Sequence, residues 1–200
     1  MMELFHIHRH NSFDELYQEG KSFIVGEDYN AMGKNFMSVN PTEMCLPVGY
    51  DYQNVDYFYL LMPEMLQTMS SEDKKLLLCD LRRYLYNKKV DDRELILEQV
   101  RISLNKDLPS RYKCMWLADE KSLNKWLSIL YKEQYDVFKV DVDGKLFKSS
   151  NSMLPDPTES HSVMYDQAYT YWNATEKELS KKDDVEYLFE GEVKLLKRVK

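Results

Sequence analysis

One stretch constrains this chain more than any other. Residues 109–131 open with Pro-Ser-Arg, run through an aromatic and apolar segment at 112–118, and continue past Asp119 into an amphipathic run. Pro109 and Ser110 read as a turn and 112–118 as a short strand. Asp119 is placed to cap a helix. Leu123, Trp126, Leu127 and Leu130 then recur at i, i+3, i+4 and i+7, which is one helical face. A polar corner therefore opens a strand that a helix covers. The expectation is that this corner forms the middle of a binding cleft, with the two chain ends supplying the other walls.

Two hundred residues suit one domain, read here as a single unit over 1–200 with a loop and helical insertion at 27–101. A net charge of −7 argues against a nucleic-acid binder held by bulk electrostatics, which needs a basic excess. It leaves room for a nucleic acid as a transient substrate in a locally basic groove. The basic cluster of note is Lys194, Lys197, Arg198 and Lys200. Cys45, Cys79 and Cys114 are odd in number, far apart and without a CxxC pair, so neither a disulfide framework nor a zinc site is encoded. The N-terminus has no basic or apolar signal region, and no run approaches the roughly 20 apolar residues of a membrane span. The expectation is a soluble cytoplasmic protein with no metal and no membrane partner.

Along the chain, Phe5 and Ile7 alternate with His6, His8 and His10, giving a first strand with three histidines on one face. These read as a solvent-facing polar edge, as a ligand contact through one of them, or, with a further ligand from elsewhere, as a metal site. Residues 11–20 read as a short helix closed by Gly20, 22–25 as a strand, and 27–56 as a long irregular connection. The block 57–101 reads as helical. Ser70 and Ser71 ahead of Glu72-Asp73 make a capping signature, and Leu76, Leu77, Leu81, Tyr84 and Leu85 make a core stripe. Asp91-Asp92 opens another helix carrying Leu95, Ile96 and Val100, with Glu98 and Arg101 as a surface i, i+3 pair. Later, Phe138, Val140 and Val142 alternate with charged residues up to a hairpin turn at Asp143-Gly144. A loop at 149–160, a helix at 161–172 and a closing strand or hairpin at 185–199 follow. This order, without a βαβ rhythm, predicts an α+β fold with mostly antiparallel sheets. No GxGxxG, P-loop or GxSxG motif and no Cys–His arrangement is present.

Several segments, taken in order, carry a resemblance: Glu98-x-x-Arg101, then Pro109-Ser110-Arg111 with its aromatic strand and covering helix, then Phe138-Lys139-Val140 with Asp143-Gly144, Ala168-x-x-Tyr171-Trp172, and Glu186-x-Leu188 ahead of a last strand. Together with the opening Leu4-Phe5-His6-Ile7 strand, they resemble a bacterial family of uncharacterised proteins grouped with the ADP-ribosyltransferase-like superfamily. The likeness is discontinuous and leaves residues 27–96 unmatched. It implies a split pair of small sheets with NAD in the cleft between them, and the helical insertion between the first and middle strands. It also implies catalytic roles for His6 and Glu186, and an NAD contact by His6, Ser110, Arg111, Tyr112 or Trp116. Where the superfamily carries Tyr, an apolar and a small residue, this chain has Trp116-Leu117-Ala118, so Ser110 or Tyr112 can fill the middle position instead. Glu190-Gly191-Glu192 is an alternative register for the late carboxylate.

The chemistry suits these residue types. Breaking the nicotinamide–ribose bond develops an oxocarbenium-like sugar, which a fixed carboxylate stabilises by gripping a ribose hydroxyl. An imidazole positions the sugar, an aromatic ring stacks on nicotinamide, and a guanidinium meets phosphate. The implied protein is an NAD-dependent ADP-ribosyltransferase, a toxin or phage-defence effector with a protein or nucleic-acid acceptor and an antitoxin or immunity partner. Against it stand a catalytically inactive binding protein of the same fold and a helical interaction adaptor. Plainer roles also exist: Trp116 as core, Arg111 as a structural ion-pair partner, Glu186 as a surface residue.

Overall fold

A computed structural model describes residues 3–10, 14–38, 43–48, 51–56, 62–130 and 134–200. Its frame is a five-stranded antiparallel sheet built from β1 (Leu4–Arg9), β2 (Ser22–Val25), β5 (Met115–Asp119), β6 (Tyr135–Ser150) and β7 (Val185–Arg198) in the order β2-β7-β5-β1-β6. β6 also pairs with β7 along most of its length, so β1, β5, β7 and β6 close a ring. Leu4, Met115, Leu117, Phe138, Val140, Val185, Tyr187, Phe189, Val193 and Leu195 pack together from all four strands of that ring. A separate hairpin joins β3 (Glu43–Val48) to β4 (Asp51–Asp56).

The opposite sheet face is covered by two helices. α3 (Ser71–Asn105) and α5 (His161–Trp172) pack Ile96, Leu97, Val100, Met164, Ala168, Tyr171 and Trp172 against Cys114 and Leu188. Among the described residues the remaining α-helices are α1 (Ala31–Ser38), α2 (Pro63–Thr68), α4 (Glu120–Ile129) and the short α6 (Glu176–Leu179). α4 is the expected covering helix, and Asp119 caps it by accepting from the Ser122 backbone N–H at 2.8 Å. Among the described residues no helix is long and apolar enough to cross a membrane.

Several local expectations are corrected. Residues 27–56 are not irregular throughout but contain α1 and the β3–β4 hairpin. Asp91-Asp92 does not start a new helix. α3 runs through it for 35 residues, with Ser70 capping its start and Lys88 bonded to Asp91 at 3.3 Å. Of the expected core stripe, Leu77 is buried and Leu81 and Tyr84 pack beside it, whereas Leu76 and Leu85 are exposed. Residues 57–61, the start of the expected helical block, lie outside the described residues, as do residues 11–13 of the expected first helix. The part of that helix described is a short 3₁₀ turn, Asp14–Leu16.

Asp143-Gly144 is not a turn either, and 185–199 is not a hairpin. Both strands run straight through, with Gly144 opposite Gly191. A Cβ on Gly144 would come within 2.3 Å of the Glu190 carbonyl oxygen, and both glycines have positive φ (155° and 144°). The glycines let two long paired strands approach closely at this point. His6 and His8 do not form a solvent edge, because β1 lies between β5 and β6, while His10 is exposed just past the strand and faces Asp136 at 3.3 Å. His6 and His8 stack on Tyr17, with ring centroids 5.3 and 3.6 Å away.

Candidate functional site

The corner is a turn, and the strand after it is shorter than its aromatic composition suggests. The Lys113 and Cys114 backbone N–H groups both donate to the Ser110 carbonyl, at 3.0 and 2.8 Å, so regular strand begins only at Met115. The turn points Arg111 inward and leaves Ser110 and Tyr112 along a cleft.

Behind the corner lies a buried charged cluster. Arg111 donates from Nε to Glu94 at 2.8 Å, and from Nη1 to Glu186 and to the Tyr171 hydroxyl, both at 2.7 Å. Tyr171 in turn donates to Glu186 at 2.5 Å. Arg93 grips the second oxygen of Glu94 at 2.7 and 3.1 Å. Burial pushes the Glu94 carboxyl up, but Arg111 and then Arg93 outweigh it and hold the group below its ordinary value. Burial opposes the Arg111 charge, yet Glu94, Tyr171 and Glu186 hold it protonated well beyond its ordinary value. Burial also pushes the Tyr171 hydroxyl well up, with Arg111 pulling down and Glu186 pushing up, so it stays a donor. Cys114 is buried beside this cluster, and burial raises its thiol well above the ordinary value; it is no nucleophile.

In front of the corner is a cleft of about 390 Å³. Ser110, Tyr112 and Lys113 form one wall, Glu98, Arg101, Lys106 and Leu108 at the end of α3 another, and Gly26, Tyr29 and Glu190 much of the rest. Glu190 accepts from the Ser110 backbone N–H at 2.7 Å, and Ser110 Oγ donates to Glu98 at 3.1 Å. Arg101 is committed to the wall: it forms a fork on Glu98, at 2.7 and 3.0 Å, and donates to the Lys106 and Leu108 carbonyls. The Glu98–Arg101 pair is therefore a cleft-lining element rather than an exposed surface pair. Lys113 sits over the Tyr29 ring at 5.4 Å and donates to the Glu27 carbonyl.

The structure thus separates the residues that the sequence put together. Ser110 and Tyr112 line the cleft. Arg111 and Glu186 are behind it, bonded to each other, and Trp116 packs over Arg111 with its ring 5.7 Å from the guanidinium. His6 is on the other side of the sheet. It pairs with Phe138 and shares the Leu4–Phe138 face, while Trp116 and Leu188, opposite each other on β5 and β7, share the face of Glu186. There His6 donates from Nδ1–H to the Trp116 carbonyl, 3.0 Å away. Its pKa is lowered to about 4, chiefly by burial, against that hydrogen bond and with His8 adding repulsion. His6 and Glu186 therefore do not converge.

Glu94 and Tyr171 are the partners of Arg111 and Glu186 that sequence reasoning did not assign. One signal was available: Glu94, Glu98 and Arg101 fall at i, i+4 and i+7, interleaved with the core residues Ile96, Leu97 and Val100. Charges at helical spacing beside a buried stripe mark a polar seam within a core, but not its partners.

Residues 4–200 match the model of a family described as a protein of unknown function (DUF2441). No curated protein matches the chain.

Proposed function

The chain belongs to the DUF2441 family, and we propose from its cleft that it is a cytoplasmic NAD-dependent ADP-ribosyltransferase acting on a protein or nucleic-acid acceptor. One observation supports this above the others. The Glu190 carboxylate is anchored by the Ser110 backbone N–H at the edge of a cleft that carries two tyrosines, Tyr29 and Tyr112, and two lysines, Lys106 and Lys113. Its volume falls in the range of small-molecule sites.

Each feature has a use in that chemistry. The lysines meet the pyrophosphate and the tyrosine rings flank a base or the nicotinamide. Glu190 holds a ribose hydroxyl and stabilises the cationic sugar as nicotinamide departs with the bonding electrons, and an acceptor oxygen or nitrogen then attacks C1 and loses its proton. Because Glu190 is held by a backbone donor, it is oriented before substrate arrives. On this reading Glu186 does not touch NAD; with Arg111 it holds the corner that aims Ser110 and Glu190. On this reading the cleft between the corner and the end of α3 takes the role that the resemblance gives to the space between two sheets.

The second reading, a fold that binds NAD without turnover, is favoured by the position of His6 across the sheet from Glu186 and the cleft. Calorimetry with oxidised NAD and an assay for free nicotinamide separate the two. Heat of binding and nicotinamide release that Glu190→Gln removes support transfer. Binding with no release supports the second reading, and the absence of any binding heat rejects both.

A further inference from the structure

The N-terminal half of α3 carries exposed apolar residues that nothing in the described chain covers. α2 packs Leu66 and Met69 on Leu77, Leu81 and Tyr84, but Leu78 is 63% exposed and Leu85 52%. Farther along the helix, on the side away from the sheet, Leu95 is 42% exposed and Ile102 56%. These four fall into one pattern. From Leu78 the helix reads Leu78, Leu81, Leu85, Lys88, Asp92, Leu95, Gln99 and Ile102, in alternating steps of three and four. That is the heptad seam of a coiled coil, sustained over about 36 Å of helix at 1.5 Å per residue. Leu81 packs partly under α2 and Gln99 accepts from the Tyr165 hydroxyl of α5, so the apolar positions of the seam left exposed in the monomer are Leu78, Leu85, Leu95 and Ile102.

Its order is self-complementary. Set against an antiparallel copy of itself about a point beside residue 90, Leu78 meets Ile102, Leu81 meets Gln99, Leu85 meets Leu95, and Lys88 meets Asp92. The first three layers are apolar or neutral, and the central one joins opposite charges. A two-fold axis produces every layer twice, as an isologous interface requires. A parallel copy would instead set Lys88 on Lys88 and Asp92 on Asp92. The charges are available for exchange: among the described residues Lys88 bonds to the part-exposed Asp91 of its own turn at 3.3 Å, beside the Tyr84 ring, and Asp92 faces the exposed His161 at 3.9 Å.

We propose that this surface is a homodimer interface in which α3 pairs antiparallel with α3 of a second copy, in the register that sets Lys88 against Asp92. It is independent of the chemistry proposed for the cleft.

Sedimentation velocity of the full-length protein across micromolar concentrations tests it, with circular dichroism to confirm that each variant is folded. The wild type is expected to dimerise. Lys88→Asp and Asp92→Lys should each weaken the dimer about tenfold or more, because each places like charges face to face in both central layers. The combined Lys88→Asp, Asp92→Lys chain should recover dimerisation, since the swap restores opposite charges. A wild type that stays monomeric overturns the proposal. So does a dimer indifferent to the single changes, or one that the double change fails to restore.

Discussion

Glu186 and Glu190 stand on the same strand, face the same way and are the same residue type, yet they do opposite things. Four residues along β7, about 13 Å of strand, separate them. Glu186 lies beneath α3 and α5, where Arg111 and Tyr171 take its carboxylate into a buried cluster. Glu190 lies past the end of that cover and opens onto the cleft, held by a backbone N–H. The layer above a strand, not the strand position, decides whether a carboxylate is neutralised in a buried cluster or left facing a cleft. A buried carboxylate needs its charge neutralised by neighbours and has little left for a substrate. A cleft carboxylate needs only to be oriented.

The largest effect should come from removing what the buried side depends on. Arg111→Met leaves Glu94 and Glu186 buried without their shared cation and should cost about 3–5 kcal/mol of stability, read by urea unfolding. A loss below about 1 kcal/mol would break the distinction between the two sides. Next is Glu190→Gln, which should lower nicotinamide release about 100-fold or more while shifting the unfolding midpoint little. If instead it unfolds the protein and leaves turnover intact, the roles of the two carboxylates are reversed. Glu186→Gln should do the converse, with a stability loss of about 2 kcal/mol and unchanged NAD affinity in calorimetry of the folded fraction.

The smallest effect concerns His6, which belongs to neither side of the comparison. Its folded pKa of about 4 lies below the ordinary 6.5, so the unfolded chain takes up the proton first as pH falls. The stability that neutral His6 contributes is therefore complete above about pH 6.5 and drains away between there and about pH 4. Unfolding midpoints measured across that window should fall with pH, and His6→Gln should flatten the slope. An unchanged slope in the variant would assign the acid sensitivity to groups other than His6.

Much of the fold was legible because local patterns carried it. Asp119 announced the cap of α4, alternation announced β1 and β6, and the helical spacing around Ala168 and Trp172 announced α5. Where the reading failed, a long-range partner overrode a local signal. Asp143-Gly144 has the composition of a turn, but pairing with Glu192 and Gly191 on β7 keeps it within a continuous strand. Leu85 has the spacing of core, but no described element lies over it. The corner was visible as a polar interruption before a strand. That Arg111 would turn toward the buried cluster and Ser110 toward the cleft was not, because the direction depends on Glu94, which lies 17 residues earlier in sequence.

What the sequence determined alone is the set of parts: a Pro-Ser-Arg turn, a capped helix, alternating strands, and a late stretch with acidic residues at 186 and 190. Periodicity and capping act over a few residues, so neighbours suffice to specify them. What only the tertiary structure decided is pairing across distance. It set Arg111 on Glu186, Ser110 on Glu190, and His6 across the sheet from both. Charge compensation and burial are properties of three-dimensional neighbours, and no spacing along the chain encodes them.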